Sequence, residues 1–414
     1  MNTLNAPKLP LPPPLSGRVV NSFAHFTVTL RMPRIGRETL AENDFPPAAV
    51  EHLEALIEGI PTQTVRRLQD PEAPDLAEWE AYVQPYRSAN WLEVPWFFAE
   101  EYFYRRILEA SGYFQPGPSW QLDPYTSQKR KVLQVSQEAI LVLGATLDQA
   151  LATESVNQET QRETLYRLLL GSTWGNQGDL SIWSLDEERP DHDQFDLQEA
   201  HLLINQATEL TNFILEGKPL PRVDLILDNC GPELIGDLGL ADYLLSAGLA
   251  QAVRLHAKAH PTFVSDALIK DIHQTIEYFN SLPDSHAQDW AQRLVGQIAQ
   301  GRLQLAQDFF WNSPLFFWEM PAHIRQEMSA ASLVISKGDA NYRRVVGDFY
   351  WDPSTPFADV VGYFPAPLAV LRVLKSELII GLPQGKAEEI EQSEPDWMVN
   401  GNWGVIHFLP LSSA

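Results

Sequence analysis

The segment LILDNCGPELIGDLGLADYLL, residues 225–245, decides the fold class. It begins with an apolar run that is too short for a helix, and it continues with apolar residues spaced by three or four positions. The polar pair Asp228-Asn229 and a Gly-Pro pair separate the two parts, and proline suits the first turn of a helix. The segment therefore predicts a buried strand, a polar turn and a helix from about Glu233 to Ala247.

The same alternation of short apolar runs and helical patterns continues along the second half of the chain. One helix-like stretch, DALIKDIHQTIEYFNSL, has Ser265 as its expected N-cap. Strands separated by helices predict an α/β fold, with a mostly parallel central sheet flanked by helices in a Rossmann-like three-layer arrangement. The further predicted strands are QAVRLHAKA (251–259), ASLVISKG (331–338), ELIIGL (377–382) and WGVIHFL (403–409).

The first part of the chain has a different character, because from Glu38 to Leu170 its apolar spacing predicts mostly helices. The N-terminus has five prolines among its first fifteen residues, which predicts an extended arm. We therefore divide the chain into a Pro-rich arm with a helical domain, residues 1–170, and an α/β catalytic domain, residues 171–414. The predicted loops of the second domain are GSTWGNQGDLSIW (171–183), SLDEERPDHDQFD (184–196) and QGKAEEIEQSEPD (384–396).

The composition excludes several classes of partner. The 414 residues include 54 acidic and 30 basic side chains, which gives a formal net charge of −24. A field of that sign repels nucleic acid and anionic membranes, and no apolar run is long enough to span a membrane. The single cysteine, Cys230, excludes intrachain disulfides and thiolate metal clusters. We expect a soluble, cytoplasmic protein and infer no obligate protein partner.

Polar residues stand at three strand ends, and in open α/β sheets ligands bind beyond the carboxyl ends of the strands. Asp228 and Asn229 offer a carboxylate beside an amide oxygen, a pair of hard ligands suited to Mg²⁺ or Mn²⁺. Asp266, at the next strand-to-helix junction, can complete such a set. The alternative is a helix cap, which accounts for one residue of the pair and not for both. Farther along the opening segment, Asp237 is predicted to lie near the site or in solvent, and Asp242 on the helix surface.

The third strand end, SKGDANYRR (336–344), combines a glycine with cations in an acidic protein. Gly338 allows the backbone to approach a ligand, while Lys337, Arg343 and Arg344 supply positive charge. A cationic loop that faces a carboxylate-bound metal is the arrangement that a phosphoryl group needs. The alternative is a polar surface loop with a solvated arginine pair.

Several segments together resemble the metal-dependent damage-control phosphatase family, formerly a domain of unknown function, and most closely its third, acidic-residue methyltransferase-like subfamily. They span most of the chain in the order that the family has. The resemblance implies an α/β domain with a helical N-terminal part. The segments are WLEVPWFFAEEYFYRRI (91–107), LDPYTSQK (122–129), STWGNQGDLSI (172–182), LDNCGPELIGDLGLADYLL (227–245), FVSDA (263–267), SKGDANYRR and LRVLKSELIIGL (371–382).

The resemblance also implies roles for individual residues. Asp228, Asn229 and Asp266 would be catalytic residues that bind a divalent metal (Mn²⁺, Co²⁺, Ni²⁺ or Mg²⁺), and Lys337 would be catalytic as well. The family's RTxK motif has Val373 in place of threonine here. The substrate-binding residues that it implies are Asn176, Glu233, Asp339, Asn341, Tyr342, Arg343, Arg372 and Lys375.

The function that the resemblance implies is hydrolysis of small phosphate monoesters, either sugar phosphates or damaged phosphometabolites. Its nucleophile is either a water molecule held by the metal or Asp228 itself. Two alternatives stay open. An S-adenosylmethionine-dependent protein-glutamate carboxyl methyltransferase is disfavoured because no glycine-rich loop follows a first strand. A non-catalytic phosphometabolite-binding protein would bind a small phosphorylated metabolite without turnover.

Overall fold

The structure is a computed structural model that describes residues 6–152, 158–175 and 199–411. The predicted substrate residue Asn176 and the predicted acidic loop 184–196 lie outside the described residues.

A seven-stranded sheet forms the centre of the protein, in the order β1-β7-β6-β5-β2-β3-β4. Neighbouring strands are parallel except β6 and β7, which are antiparallel. The predicted α/β class with a mostly parallel sheet is confirmed. The strands are β1 (Leu202–Asn205), β2 (Val223–Ile226), β3 (Val253–Lys258), β4 (Leu303–Asp308), β5 (Leu333–Lys337), β6 (Leu368–Val373) and β7 (Gly404–Leu409).

The prediction of a strand at ELIIGL, residues 377–382, is wrong, because this segment is a loop. Its backbone is held by side chains and not by a neighbouring strand: Leu378 O accepts from Arg372, and Ile380 N donates to Tyr342 Oη. A short buried apolar run looks the same in a loop and in a strand. Strands β1, β4 and β6 were not predicted, and the predicted loop 384–396 contains a helix.

Helices cover both faces of the sheet. A π-helical turn, Thr27–Arg31, joins the first two helices. The eighth helix includes residues 171–174, so this part of the predicted loop 171–183 is helical. The same helix runs across residue 170, and the division of the chain at that point stays a prediction. The helices of the first part are α1 (Phe23–Phe26), α2 (Met32–Ala41), α3 (Pro47–Gly59), α4 (Leu76–Val83), α5 (Trp96–Ser111), α6 (Thr126–Val135), α7 (Gln137–Ala152) and α8 (Gln158–Trp174).

The helices of the second part alternate with the strands, as the sequence predicts. They are α9 (Ala207–Gly217), α10 (Pro232–Ser246), α11 (Ile269–Ser281), α12 (Ser285–Ala299), α13 (Ala322–Ser329), α14 (Asp339–Val346), α15 (Phe357–Val361) and α16 (Lys386–Ser393). None of the helices within the described ranges is long and apolar enough to cross a membrane.

Two hydrophobic cores lie on opposite faces of the sheet, because successive side chains of a strand point to opposite sides. In β5, Leu333 and Ile335 belong to a core that includes side chains of α7 to α12, while Val334 belongs to a core shared with the N-terminal helices. The sheet is therefore the middle of three layers.

The strand order places a topological switch point between β2 and β5. From β2 the chain continues outward through β3 and β4, and it then returns to β5 on the other side of β2. The crevice at the carboxyl ends of two such strands is the usual ligand site of an open α/β sheet. Asp228 follows β2 and Gly338 follows β5.

Candidate functional site

The carboxyl group of Asp228 lies directly against the backbone of Gly338. A Cβ atom built on Gly338 would be 1.9 Å from Asp228 Oδ2 and 2.1 Å from Asp228 Cγ. Gly338 also has a φ of +85°, in the region that side chains with a Cβ avoid. Gly338 therefore allows the side chain of a predicted metal ligand to lie against its backbone, and the approach of that backbone to a bound ligand stays a prediction.

Asn229 and Asp266 lie side by side, because the loops that follow β2 and β3 pair through an isolated antiparallel bridge. Ala267 N donates to Asp228 O at 2.8 Å, which ties the same two loops together. The prediction that Ser265 caps the next helix is wrong, since α11 begins downstream of Asp266. Ser265 instead donates its hydroxyl to Asn229 Oδ1 at 2.5 Å.

A strained turn directs Asp266 into the site. Phe263 and Val264 both have positive φ values, +45° and +68°. That conformation is unusual for any residue other than glycine and most unfavourable for a β-branched one. The Phe263 ring packs 4.9 Å from the Tyr104 ring and 6.2 Å from the Phe97 ring, between centroids. Tertiary packing therefore holds a backbone conformation that local preference opposes.

Three carboxyl groups share this edge of the sheet. Burial raises the pKa of Asp228, and the nearby Glu233 and Asp266 raise it further. Burial also raises the pKa of Asp266, although the Lys258 ammonium, 3.2 Å from Asp266 Oδ2, opposes that shift. Asp266 Oδ2 is thus paired with Lys258, whereas Oδ1 has no hydrogen-bond partner among the residues that the structure describes. The concentration of buried negative charge favours a bound cation.

The Asn229 amide connects these carboxylates. Its Nδ2 donates to Asp228 Oδ2 at 2.8 Å and to Glu233 Oε1 at 3.0 Å. The nitrogen and not Oδ1 thus faces the carboxylates, and a half-turn of the amide exchanges the two atoms. Within the described ranges, no group of three or more His, Cys, Asp or Glu side chains is placed to hold a metal. The predicted ligand set has only two carboxylates, Asp228 and Asp266, together with the Asn229 amide, so it is smaller than such a group of three. Its role in metal binding stays a prediction.

Lys337 is buried beneath the site and paired within the protein. Its ammonium donates to Ser172 O at 2.5 Å and to Asp237 Oδ1 at 2.8 Å. Burial raises the pKa of Asp237, and Lys337 opposes that shift. Asp237 is therefore not solvated but is the partner of Lys337. The prediction that Asp242 lies on the helix surface is wrong, since it is fully buried and its Oδ2 lies 2.8 Å from Arg293 Nε.

The arginine pair of SKGDANYRR is buried, so its interpretation as a solvated pair is wrong. Arg343 donates through Nε to Asp348 at 2.7 Å and through Nη1 to Glu100 at 2.5 Å. Its guanidinium also lies 3.8 Å from the centroid of the Trp96 ring. Arg344 donates to backbone carbonyls of the segment after β4. Arg343 therefore ties α14 to the N-terminal helix α5, and Arg344 ties α14 to the segment after β4.

Asn341 and Tyr342 are fully buried and act within the protein. Asn341 Nδ2 donates to Leu227 O at 3.0 Å and to Lys337 O at 2.9 Å, which joins the ends of β2 and β5. The Tyr342 hydroxyl accepts from Ile380 N at 3.1 Å. These contacts position the two strand ends that carry Asp228 and Gly338.

Asp339 organises the segment after β6. Its Oδ1 accepts from Arg372 Nε at 2.8 Å, from Lys375 N at 3.0 Å and from Ser376 Oγ at 3.0 Å. Burial opposes ionisation, but Arg372 holds the pKa of Asp339 below its usual range. The Lys375 side chain is 42% exposed, and its ammonium is 3.9 Å from Glu233 Oε1. Lys375 therefore has a free path to solvent and to a ligand.

A cavity of about 160 Å³ opens at this point of the sheet edge. An adjacent recess of about 10 Å³ touches Glu233 and Lys337. The predicted residues Asn341, Tyr342 and Arg372 do not line either space. The predicted site residues that do line the cavity are Asp228, Asn229, Asp266, Asp339, Arg343 and Lys375.

The N-terminal helices supply a part of the cavity wall that was not predicted from the sequence, including Arg31 and Glu100. Arg31 ends the π-helical turn, and a proline follows two residues later. Because Pro33 has no N–H and its ring crowds the preceding turn, the helix cannot continue regularly. Met32 N bonds to Thr27 O, five residues back. The proline inside a helical pattern was the available sequence signal for this turn.

The chain is similar to known proteins over almost its entire length. A family model, "Damage-control phosphatase ARMT1-like domain", matches residues 27–390. The protein named "Damage-control phosphatase ARMT1" from Danio rerio is 31% identical over 439 residues, covering 96% of this chain and 97% of the relative. The protein of the same name from Homo sapiens is 30% identical over 440 residues, covering 96% and 98%.

Two further proteins are similar. The Xenopus tropicalis protein of the same name is 32% identical over 433 residues, covering 95% of this chain and 97% of the relative. The crystal structure of a DUF89 family protein from Pyrococcus horikoshii has a TM-score of 0.47 at 12% identity, covering 91% of this chain and 96% of that one. The family match and the relatives confirm the resemblance, and the chain belongs to the damage-control phosphatase ARMT1-like domain family.

Proposed function

We propose that this protein is a divalent-metal-dependent phosphatase that hydrolyses small phosphate monoesters, either sugar phosphates or damaged phosphometabolites. Its family and the names of its relatives support a phosphatase. The observation that supports metal dependence is the group of buried carboxyls at this sheet edge, where Asp228 and Asp266 are at most 6% exposed and burial together with Glu233 raises the pKa of both. The Lys258 ammonium, 3.2 Å from Asp266 Oδ2, offsets part of this charge, and Asp266 Oδ1 has no hydrogen-bond partner among the described residues. Buried negative charge of this kind is costly unless further cations offset it.

The donor chemistry at the site fits a divalent cation. Asp228, Asn229 and Asp266 offer only oxygen ligands, which suit Mg²⁺ and Mn²⁺, and Co²⁺ and Ni²⁺ also accept such ligands. Catalytic sites of this kind commonly use one or two carboxylates and leave the remaining positions to water and phosphate oxygens. When bound, the cation would polarise a phosphoryl oxygen and offset negative charge.

The residues around the cation would position and neutralise the phosphoryl group. The first-turn amides of α14, which begins directly after Gly338, have no acceptor within the helix, and a helix N-terminus favours an anion. Ala340, in that turn, lines the cavity. Lys375 brings an ammonium group from the opposite side, and Asn341 fixes the two strand ends at their spacing.

The size of the cavity supports a small substrate. A volume of about 160 Å³ corresponds to roughly five water molecules. A phosphoryl group would fill much of that space, and the rest of the substrate would extend toward solvent. The net charge of −24 opposes binding of nucleic acid, so we propose a small phosphorylated metabolite as the partner. The buried single thiol of Cys230 is compatible with the reducing cytoplasm, where we place the protein.

The decisive experiment replaces Asp228 and measures hydrolysis of p-nitrophenyl phosphate and of a panel of sugar phosphates. Each substrate is tested with Mn²⁺, Co²⁺, Ni²⁺ or Mg²⁺, and with a chelator. We expect Asp228→Asn to lose about 100-fold or more in kcat/KM, because a neutral amide oxygen replaces an anionic metal ligand. Without metal the variant should be as stable as the wild type or more stable, because it relieves repulsion from Glu233 and Asp266.

Asp284→Ala is the control, since Asp284 caps α12 away from the site and its loss costs stability only. Wild-type activity in Asp228→Asn would refute the assignment. Turnover that requires S-adenosylmethionine and no cation would instead establish the methyltransferase, and phosphate-ester binding without turnover would establish the binding protein.

A further inference from the structure

Arg31 is a basic residue of the cavity wall, and the described residues offer its guanidinium no hydrogen bond and no ion pair. It is half-buried at the end of the π-helical turn and lines the cavity together with Asp228 and Asp266. It acts at longer range on Glu100: burial raises the pKa of Glu100, whereas Arg343 and then Arg31 lower it.

Other basic residues at this edge of the sheet are already bound. Each is at most 2% exposed and directs its nitrogen atoms to carboxylate or carbonyl oxygens of the protein. Lys375 differs, because its side chain is 42% exposed and its ammonium is 3.9 Å from Glu233 Oε1, which is beyond hydrogen-bond distance. Arg31 and Lys375 therefore have donors to offer a ligand. The bound residues are Lys258, Lys337, Arg343 and Arg372.

We propose that Arg31 is a phosphate-binding residue whose guanidinium donates to the phosphoryl oxygens of the substrate. The inference rests on the proposed function and adds a contact from the N-terminal helices. Arg31 lines the same cavity of about 160 Å³ as Asp228 and Asp266, so its side chain borders the space in which a phosphoryl group held by those residues would lie. A guanidinium presents paired donors that match phosphate oxygens, and it keeps its charge at every physiological pH.

The local fold explains how a residue so early in the chain reaches the site. The proline after Met32 widens the helix into a π-helical turn. Such turns change the direction of the side chains that follow them relative to a regular helix. The face of α5 that carries Trp96 and Glu100 forms the neighbouring wall, so the helical layer completes a cavity whose floor belongs to the sheet.

Titration with inorganic phosphate tests the proposal without a known substrate. Calorimetry would compare the full-length wild type, Arg31→Ala and Arg31→Lys, each saturated with Mn²⁺. We expect Arg31→Ala to weaken phosphate binding by about tenfold or more. Arg31→Lys should weaken it by less, because the lysine ammonium keeps the positive charge but lacks the paired N–H donors of a guanidinium. The affinity for Mn²⁺ alone should stay within about twofold, since Arg31 is not a metal ligand.

Arg37→Ala is the matched control. It removes the same charge from the exposed side of α2, and Arg37 does not line the cavity. If Arg31→Ala binds phosphate as Arg37→Ala does while the wild type hydrolyses phosphate esters, the inference is overturned and the proposed function stands. If the wild type binds phosphate in an Arg31-dependent way but hydrolyses no ester with any cation, Arg31 is confirmed and the phosphatase is refuted. No phosphate binding to the wild type overturns the inference.

Discussion

Gly338→Ala tests whether the contact between Asp228 and the backbone is needed for catalysis. The new Cβ would lie 1.9 Å from Asp228 Oδ2, whereas real Cβ contacts are essentially never below 3.0 Å. The carboxylate must therefore retreat by about 1 Å, and a misplacement of that size can cost on the order of 100-fold in rate. The left-handed φ adds backbone strain of about 1–2 kcal/mol.

Gly385→Ala separates these two effects. Gly385 has a φ of +81°, precedes α16 as Gly338 precedes α14, and has no atom within 4 Å of a built Cβ. Both variants should therefore lose free energy of unfolding from backbone strain. The loss should be larger for Gly338→Ala, because the ψ of 171° at Gly338 lies in a region essentially confined to glycine, whereas Gly385, with a ψ of −6°, is left-handed helical. Only Gly338→Ala should also lose metal-dependent activity.

The measurements are urea unfolding for stability, and kcat/KM for p-nitrophenyl phosphate with saturating Mn²⁺ for activity. Calorimetric titration of Mn²⁺ would show whether the displaced Asp228 still binds the cation. If Gly338→Ala hydrolysed the ester as fast as Gly385→Ala, the position of the Asp228 carboxylate against Gly338 would not matter for the reaction. The interpretation of this crevice as the catalytic site would then fail.

Two further predictions concern buried charges. Lys337→Met should lower the free energy of unfolding in urea by roughly 3–5 kcal/mol, because it leaves the buried Asp237 carboxylate without its cation. Adding Asp237→Leu should recover most of that loss. Equal stability of the single and double variants would contradict the pairing. Burial raises the pKa of Glu101 from 4.5 to about 7. The native state then binds more protons than the unfolded chain between these values, so without metal stability falls as pH rises through this window. Glu101→Gln should remove that fall, on the order of 3 kcal/mol, and a wild-type urea midpoint that is constant from pH 5 to pH 8 would contradict it.

Part of the order of elements was predictable from short buried runs. Strands β2, β5 and β7 are mostly apolar and were identified by length and composition, as was β3 in spite of its basic side chains, whereas the fully buried β6, Leu368–Val373, was missed. The half-exposed edge strand β4, Leu303–Asp308, carries several polar side chains and gives no such signal. ELIIGL has the composition of a strand, but its backbone groups bond to Arg372 and Tyr342. Which partner a backbone group finds depends on tertiary contacts that a local pattern does not contain.

The strand ends were informative about the site because a parallel sheet brings them to one edge. The structure brings Asp228, Asn229 and Asp266 together there, as the spacing predicts, although their role as metal ligands still needs its test. The sequence could not indicate which cations are available to a ligand. Arg343, in a motif predicted to bind substrate, pairs with Glu100, which is 243 positions away.

The distinction between a paired and an unpaired cation changes how the KGDANYR loop is expected to work. Two of the three Lys337 ammonium hydrogens go to Ser172 O and Asp237 Oδ1, so a phosphate could use only the third, and the buried Asp237 carboxylate already offsets the charge of the ammonium. Arg31 and Lys375 can meet an anion without breaking such a pair. The charges of this segment would then serve to hold Gly338 and the α14 amides in place, while cations from two other segments complete the phosphate site. Kinetics decide between these roles: a loop that only positions the site should tolerate Lys337→Met/Asp237→Leu with a modest loss of kcat, whereas direct contact requires a loss as large as that of Arg31→Ala.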